Sequence, residues 1–103
     1  EAKWLKSEAD IRRLSQLQKK ILERVSAYLK PGGTLVYSTC TLTREENEDV
    51  VEDFLGRHKE YTLEDAAEFL PETAKQMTRG KYFMALPHRD DSDGFFAARM
   101  RKA

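Results

Sequence analysis

The sequence predicts an α/β domain in which helices pack against a sheet. A helical pattern over residues 7–29 is followed by a short apolar β-run at residues 34–38, and a second helical pattern begins near residue 43. Two further β-rich runs lie close to the end of the chain. Helix, strand and helix in this order are typical of crossover units, so we expect a mostly parallel sheet that ends in an antiparallel hairpin.

Composition and charge indicate one small folded domain over residues 1–103. Hydrophobic residues make up 40% of the chain and charged residues 35%. Eighteen basic and eighteen acidic side chains cancel, so bulk charge gives no reason to expect a nucleic-acid partner. No apolar run reaches the roughly 18 residues of a membrane span. The single cysteine cannot form an internal disulfide, which favours a reducing compartment such as the cytoplasm.

The first helix is predicted from apolar residues at steps of three and four. Ser7 and Asp10 resemble a capping box at its start, and Gly32 and Gly33 stop it. These glycines precede a strand, which is the reverse of the order in a phosphate-binding loop. The expected apolar face comprises Ile11, Leu14, Leu17, Ile21, Leu22, Val25, Tyr28 and Leu29. The opposite face, which fits either a solvated surface or a binding stripe, carries Arg12, Arg13, Lys19, Lys20 and Glu23.

The following strand and helix are predicted from a change in pattern. Leu35, Val36 and Tyr37 show no polar alternation, so we expect a strand that is covered on both faces. Thr43 and Glu46 resemble a second capping box, so we expect the next helix to begin there. Its expected buried residues are Val50, Val51, Phe54 and Leu55.

The remaining segments have weaker patterns. The run YTLEDA is compatible with a short strand, AAEFLPE with a single helical turn and ETAKQMTRG with a loop. Residues 81–87 (KYFMALP) and 94–100 (GFFAARM) are predicted strands. The turn-rich HRDDSD between them is so short that these two strands must pair antiparallel.

Cys40, the only cysteine, lies where the predicted strand gives way to the predicted helix. Catalytic groups collect at the carboxyl ends of strands in α/β sheets, and a helix start favours the thiolate. Cysteine is also among the residues most often buried, so an inert packed thiol and a functional thiol both remain open. The flanking hydroxyls of Ser38, Thr39 and Thr41 are unusual around a core cysteine. The acidic residues that would oppose ionisation are Glu45, Glu46, Glu48 and Asp49.

Other chemistries have little support in the sequence. One cysteine and two histidines do not form a metal-ligand pattern, so we expect no metal. A thiol protease would need His58 or His88 as its base, and neither stands in a recognisable arrangement. The segment HRDDSDG matches a kinase catalytic loop and a calcium loop only in part, which favours a solvated turn.

The stretch PGGTLVYSTCTLTREENEDVVEDFL resembles the RNA cytosine carbon-5 methyltransferases of the Sun / nucleolar protein (NOL1/NOP2/Sun) family, and its bacterial ribosomal RNA members in particular. The most specific element is YSTC at residues 37–40, followed by Glu46 and Asn47 and, further on, by DGFF at residues 93–96. The resemblance extends from KWLKSEADIRRLSQLQKKIL to LPHRDDSDGFFAARMRK. It implies the C-terminal part of a Rossmann-like S-adenosylmethionine-dependent methyltransferase sheet.

The resemblance also implies a reaction. Cys40 would be the nucleophile that adds to carbon 6 of a cytosine in ribosomal or transfer RNA, with ribosomal RNA as the expected partner, so that carbon 5 can accept the methyl group of S-adenosylmethionine. The active-site loop would comprise Ser38, Thr39 and Thr41. The target base must leave its stack to be reached.

Several family elements are not found in these residues. The glycine-rich donor loop, the acidic residue for the donor's ribose and a second cysteine in a PC motif lie upstream in the family. We therefore expect a C-terminal piece of the catalytic domain with no cofactor-binding residues, inactive alone, in keeping with a chain that lacks an initiating Met. His88 and Asp93 align near the family's active site without an assigned role. The alternative is a free-standing α/β interaction module in which Cys40 is only packed.

Overall fold

The computed structural model describes residues 7–41, 43–85 and 94–103. Within these ranges, helix α1 spans Glu8–Ser26 and helix α2 spans Glu48–Arg57. The strands β1 to β5 are Thr34–Thr39, Tyr61–Glu64, Thr78–Arg79, Tyr82–Ala85 and Phe95–Lys102. Short 3-10 turns lie at Arg44–Glu46, Ala66–Phe69 and Glu72–Ala74.

Strand β5 is the centre of the sheet. β1 pairs along one of its edges, from Thr34 opposite Arg101 to Thr39 opposite Phe96. β2 and β4 pair with successive parts of the other edge, and β3 extends the sheet beyond β4. Because β1 and β2 are both antiparallel to β5, they run parallel to each other, and α2 is the crossover between them.

The α/β fold class and the C-terminal pairing of β4 with β5 are confirmed. The directly paired strands, however, are all antiparallel in the described part of the chain, whereas we expected a mostly parallel sheet. The reason is that β5, which comes last in the sequence, inserts between the two parallel strands β1 and β2. Local sequence patterns do not predict where in the sheet the last strand inserts.

Both helices pack on the same face of the sheet. Phe96 is fully buried there, with its ring against those of Tyr37 and Tyr82. On the other face, Val36 is 57% exposed, so the expectation of a strand covered on both faces is wrong for the described residues. The buried core comprises Leu22, Leu35, Val50, Val51, Phe54, Tyr61, Met84, Phe96, Ala98 and Met100.

Helix α1 begins where it was predicted to begin, but fewer of its apolar side chains are buried than predicted. Ser7 Oγ accepts a hydrogen bond from the Asp10 N–H, and the Asp10 carboxylate accepts one from the Ser7 N–H, which completes the capping box. The sheet and α2 contact only one edge of the apolar stripe, where Leu22 is buried. The stripe residues left exposed are Leu17, Ile21, Val25 and Tyr28. No helix in the described ranges is long and apolar enough to cross a membrane.

The second predicted capping box is wrong. Thr43 makes no cap hydrogen bond, and its hydroxyl instead donates to the Glu46 carboxylate at 3.0 Å. A 3-10 turn occupies Arg44–Glu46, so α2 begins only at Glu48. Of the weaker predictions, YTLEDA contains β2 and AAEFLPE contains a 3-10 turn. The segment ETAKQMTRG, expected to be a loop, instead contains a 3-10 turn and strand β3, which pairs with β4. The HRDDSD turn, with His88 and Asp93, lies outside the described residues.

Replacing Phe96 should destabilise the fold strongly, since its ring is fully buried between the helices and the sheet. We expect Phe96→Ala to lower the free energy of unfolding by about 3–5 kcal/mol in urea denaturation. Phe95→Ala is the matched control, because the neighbouring Phe95 is 36% exposed on the other face. Equal losses from the two substitutions would contradict the described burial.

Glu64 should make stability depend on pH. Hydrogen bonds from Arg101 at 2.9 Å and Arg99 at 2.8 Å hold the pKa of Glu64 below its usual value of 4.5. A depressed folded-state pKa stabilises the fold above the unfolded-state value, and this contribution is lost as the pH falls through the folded-state pKa. Glu64→Gln should therefore lower the thermal midpoint at pH 7 and have little effect in strong acid. A pH-independent difference from the wild type would refute this, and Glu68→Gln, at an exposed site, is the control.

Candidate functional site

Cys40 lies immediately beyond the carboxyl end of β1 and is exposed. The thiol is therefore not packed among the described residues. The predicted helix start close behind Cys40 is displaced, because α2 begins at Glu48 and the 3-10 turn comes between. The thiol therefore stands on a loop at the edge of the sheet, where a large substrate can reach it.

The predicted loop residues form one turn around Cys40. Ser38 is exposed on β1, opposite Ala97. The Thr39 hydroxyl donates to the side-chain carbonyl oxygen of Asn47, and the Asn47 side-chain nitrogen donates to the Thr41 carbonyl at 2.9 Å. The two neighbours of Cys40 are thus held by the same side chain, whereas Cys40 itself stays accessible.

Two buried polar residues, Glu46 and Asn47, lie next to this turn. Their exposed fractions are 1% and 0%. The Tyr37 hydroxyl donates to the Glu46 carbonyl at 2.7 Å, and burial together with the Glu46 charge raises the pKa of Tyr37 far above its usual value, so this hydroxyl remains a donor. The sequence analysis used Glu46 and Asn47 only to support the resemblance. Their position, six and seven residues after Cys40, was the signal that could have assigned them to the site.

The acidic residues of this segment are engaged in local contacts. The Glu46 carboxylate accepts from the Thr43 hydroxyl, and the Asp49 carboxylate pairs with Arg44 at 3.1 Å. Arg44 also reaches Glu52 at 3.6 Å. Arg44 thus pairs with two carboxylates, those of Asp49 and Glu52.

His58, one of the two conceivable bases for a thiol hydrolase, lies elsewhere. Its ring stacks on Phe54, with centroids 4.5 Å apart, and its Nε2 atom lies 2.8 Å from the Glu23 carboxylate. Asn47, directly before α2, bonds to Thr41 beside Cys40, whereas His58 directly follows the last residue of the helix. The length of α2, about 15 Å for ten residues, therefore lies between His58 and the turn around Cys40. A Cys40–His58 pair is therefore not formed.

The described residues do not fit a methyl donor such as S-adenosylmethionine. A nucleotide-type cradle needs a strand that leads through glycines into a helix N-terminus. The described glycines with positive φ are placed differently: Gly32 lies between α1 and β1, Gly80 between β3 and β4, and Gly94 directly before β5. Among the described residues, no group of histidine, cysteine and carboxylate side chains could hold a metal ion. A groove of about 810 Å³ between α1 and α2, lined by Lys19, Lys20, Arg24 and Arg57 among others, includes none of the predicted site residues.

Comparison with curated proteins gives close relatives. The chain is 40% identical over 101 residues to the probable ribosomal RNA small subunit methyltransferase B of Bacillus subtilis. It is 43% identical over 100 residues to the ribosomal RNA small subunit methyltransferase B of Yersinia pseudotuberculosis. Each match covers 97% of this chain but only 23% and 21% of the relatives, so the chain spans about a fifth of their length.

Solved structures agree with this relationship. A methyltransferase homolog protein from Pyrococcus horikoshii has a TM-score of 0.76 and 33% identity, and the match covers 95% of this chain and 34% of that one. NSun6 from the same organism, solved with SFG, has a TM-score of 0.77 and 35% identity over 95% of this chain and 24% of that one. The model of one protein family, 16S rRNA methyltransferase RsmB/F, matches residues 1–101. The chain therefore belongs to the RsmB/F family of ribosomal RNA methyltransferases.

Proposed function

We propose that this chain supplies the nucleophile of an enzyme that methylates carbon 5 of cytosine in ribosomal RNA. The observation that carries the proposal is Cys40, an exposed thiol at the carboxyl end of a strand, in a chain that belongs to a family of ribosomal RNA methyltransferases. An exposed thiol on an anchored turn can approach the edge of a base, which a packed cysteine cannot do.

The chemistry assigned to Cys40 is a reversible addition. Its thiolate forms a bond to carbon 6, the carbon 5–carbon 6 double bond opens, and the electron pair moves to carbon 5. In the longer enzyme, S-adenosylmethionine would supply the methyl group for carbon 5 and would leave as S-adenosylhomocysteine, held by residues outside the described part of this chain. Loss of the carbon 5 proton to a base returns electrons toward carbon 6 and expels the thiolate, which restores the double bond and frees the enzyme.

The flanking residues hold the nucleophile. Thr39 and Thr41 anchor the turn through Asn47, and Ser38 presents its exposed hydroxyl on the same side of β1 as Val36. We place the donor pocket and the remaining RNA contacts in sequence beyond these residues, because the described part does not fit a donor cradle and the chain spans about a fifth of its relatives. We assign the enzyme to the cytoplasm because the single cysteine of this chain cannot form an internal disulfide, which favours a reducing compartment.

Removing the thiol should abolish the reaction. In the longer methyltransferase that we propose contains this chain, Cys40→Ala should bring methylation to background and eliminate the covalent adduct with RNA that carries 5-fluorocytidine. Methyl incorporation and a gel-shifted adduct measure the two effects. Thr62→Ser, at an exposed position on β2, is the control. A Cys40→Ala enzyme that retained either activity would overturn the assignment.

The 103 residues alone should be inactive. Because the described residues do not form a donor cradle, titration calorimetry of S-adenosylmethionine into this chain should give no measurable heat of binding, and RNA should receive no methyl groups. The longer methyltransferase serves as the positive control in both assays. Methyl transfer by the isolated chain would show that the donor site lies within it.

A further inference from the structure

We propose that Asn47 is the residue that positions Cys40 for attack. This inference rests on the proposed function and adds to it a residue to which no role in the reaction was assigned. Asn47 does not reach the thiol. It acts through the residues on either side of Cys40, because its side-chain amide bonds to the Thr39 hydroxyl and to the Thr41 carbonyl.

The hydrogen bonds fix the orientation of the Asn47 amide. A backbone carbonyl can only accept, so the amide atom that bonds to the Thr41 carbonyl at 2.9 Å must be the nitrogen. The other amide atom is then the oxygen, which can only accept, and the Thr39 hydroxyl must donate to it. An amide side chain offers a donor and an acceptor side by side, whereas an ionised carboxylate offers only acceptors and cannot make the bond to the Thr41 carbonyl.

Asn47 is itself held firmly. Its side chain is fully buried, its N–H donates to the Arg44 carbonyl at 3.1 Å, and its carbonyl accepts from the Val51 N–H at 3.1 Å. The preceding residue, Glu46, accepts a hydrogen bond from the Tyr37 hydroxyl of β1. The amide therefore ties the turn to both the start of α2 and the strand.

Cys40 depends on this tie because it has no hydrogen bond of its own within the described residues. An exposed side chain without a partner takes its position from its backbone. That backbone is held at Thr41 through its carbonyl and at Thr39 through its hydroxyl and its pairing with Phe96. Attack on a ring carbon requires the reacting atoms to come within about 3–3.5 Å in the correct direction, and a displacement of about 1 Å can cost about a hundredfold in rate.

Two substitutions of Asn47 test the proposal in the longer methyltransferase. Asn47→Asp keeps the shape and the acceptor for Thr39 but places a second acceptor against the Thr41 carbonyl. Asn47→Ala removes both contacts. We expect kcat to fall by about ten- to a hundredfold in both variants, with KM for the RNA within about twofold of the wild type, because the loss concerns alignment and not substrate binding.

Thr39 provides the reciprocal test from the other side of the hydrogen bond. Thr39→Val has nearly the same shape and removes the donor to Asn47, so kcat should fall. Thr39→Ser keeps a hydroxyl and should recover most of the lost rate. A valine and a serine variant with the same kcat would contradict the proposal.

Val50→Ala controls for a merely structural role of Asn47. Val50 is fully buried in the first turns of α2, and its truncation should lower the thermal midpoint without touching the turn around Cys40. Compared at equal folded fraction, Val50→Ala should keep kcat within about twofold of the wild type. If the Asn47 variants lose no more kcat than Val50→Ala, the positioning role is overturned.

Two reactions of the Cys40 thiol distinguish a loss of alignment with the RNA base from a loss of thiol reactivity. The rate of adduct formation with 5-fluorocytidine RNA should fall with kcat in the Asn47 variants. Alkylation of Cys40 by iodoacetamide, followed by peptide mass spectrometry, should stay within about twofold, because a small reagent needs no alignment. A parallel loss of alkylation would overturn the proposal. An active Cys40→Ala enzyme would instead refute the proposed function, so the two failures are distinguishable.

Discussion

The pairing of β1 with β5 is the contact on which the rest of the structure depends. It sets Leu35 opposite Met100 and Thr39 opposite Phe96, so the alternate side chains of both strands face the helices together. β5 also carries β2 and β4 on its other edge, and through β2 it sets the direction of the α2 crossover. The place where β1 stops pairing, at Thr39, is the place where the chain turns outward and exposes Cys40.

The polar residues at this turn are buried at a cost that their hydrogen bonds offset. An unsatisfied buried polar group costs about 1–3 kcal/mol, so a buried Glu46 and Asn47 would be a liability if their partners were absent. Tyr37 supplies a donor to the Glu46 backbone, and Thr39 and Thr41 engage the two ends of the Asn47 amide. Since these partners come from β1, the turn and the helix start, the network favours one arrangement of all three elements.

Local signals in the sequence predicted local structure well. The Ser7–Asp10 capping box involves neighbouring residues, and the end of β1 directly before Cys40 follows from a change of pattern over a few positions. The second capping box failed because the Thr43 hydroxyl found the Glu46 carboxylate instead of a backbone N–H, a choice that depends on the burial of Glu46. The sequence of α1 also does not indicate which edge of its apolar stripe is buried. The position of α2 decides that, because α2 packs against α1.

In the candidate site, too, the local features could be predicted and the contacts between elements could not. Cys40 and its hydroxyl neighbours were predicted from a short stretch, whereas the role of Asn47 depends on how the start of α2 is placed beside the end of β1.

A nucleophile for a base in RNA has two requirements that oppose each other. It must be exposed, since its substrate is large, and it must be held in position, since its target is a single ring carbon. An exposed cysteine on a free loop would meet only the first, and a cysteine packed in the core only the second. Here the thiol is exposed while the amide that holds its two neighbours is fully buried. The turn is thereby anchored to the core while the thiol stays accessible to a substrate.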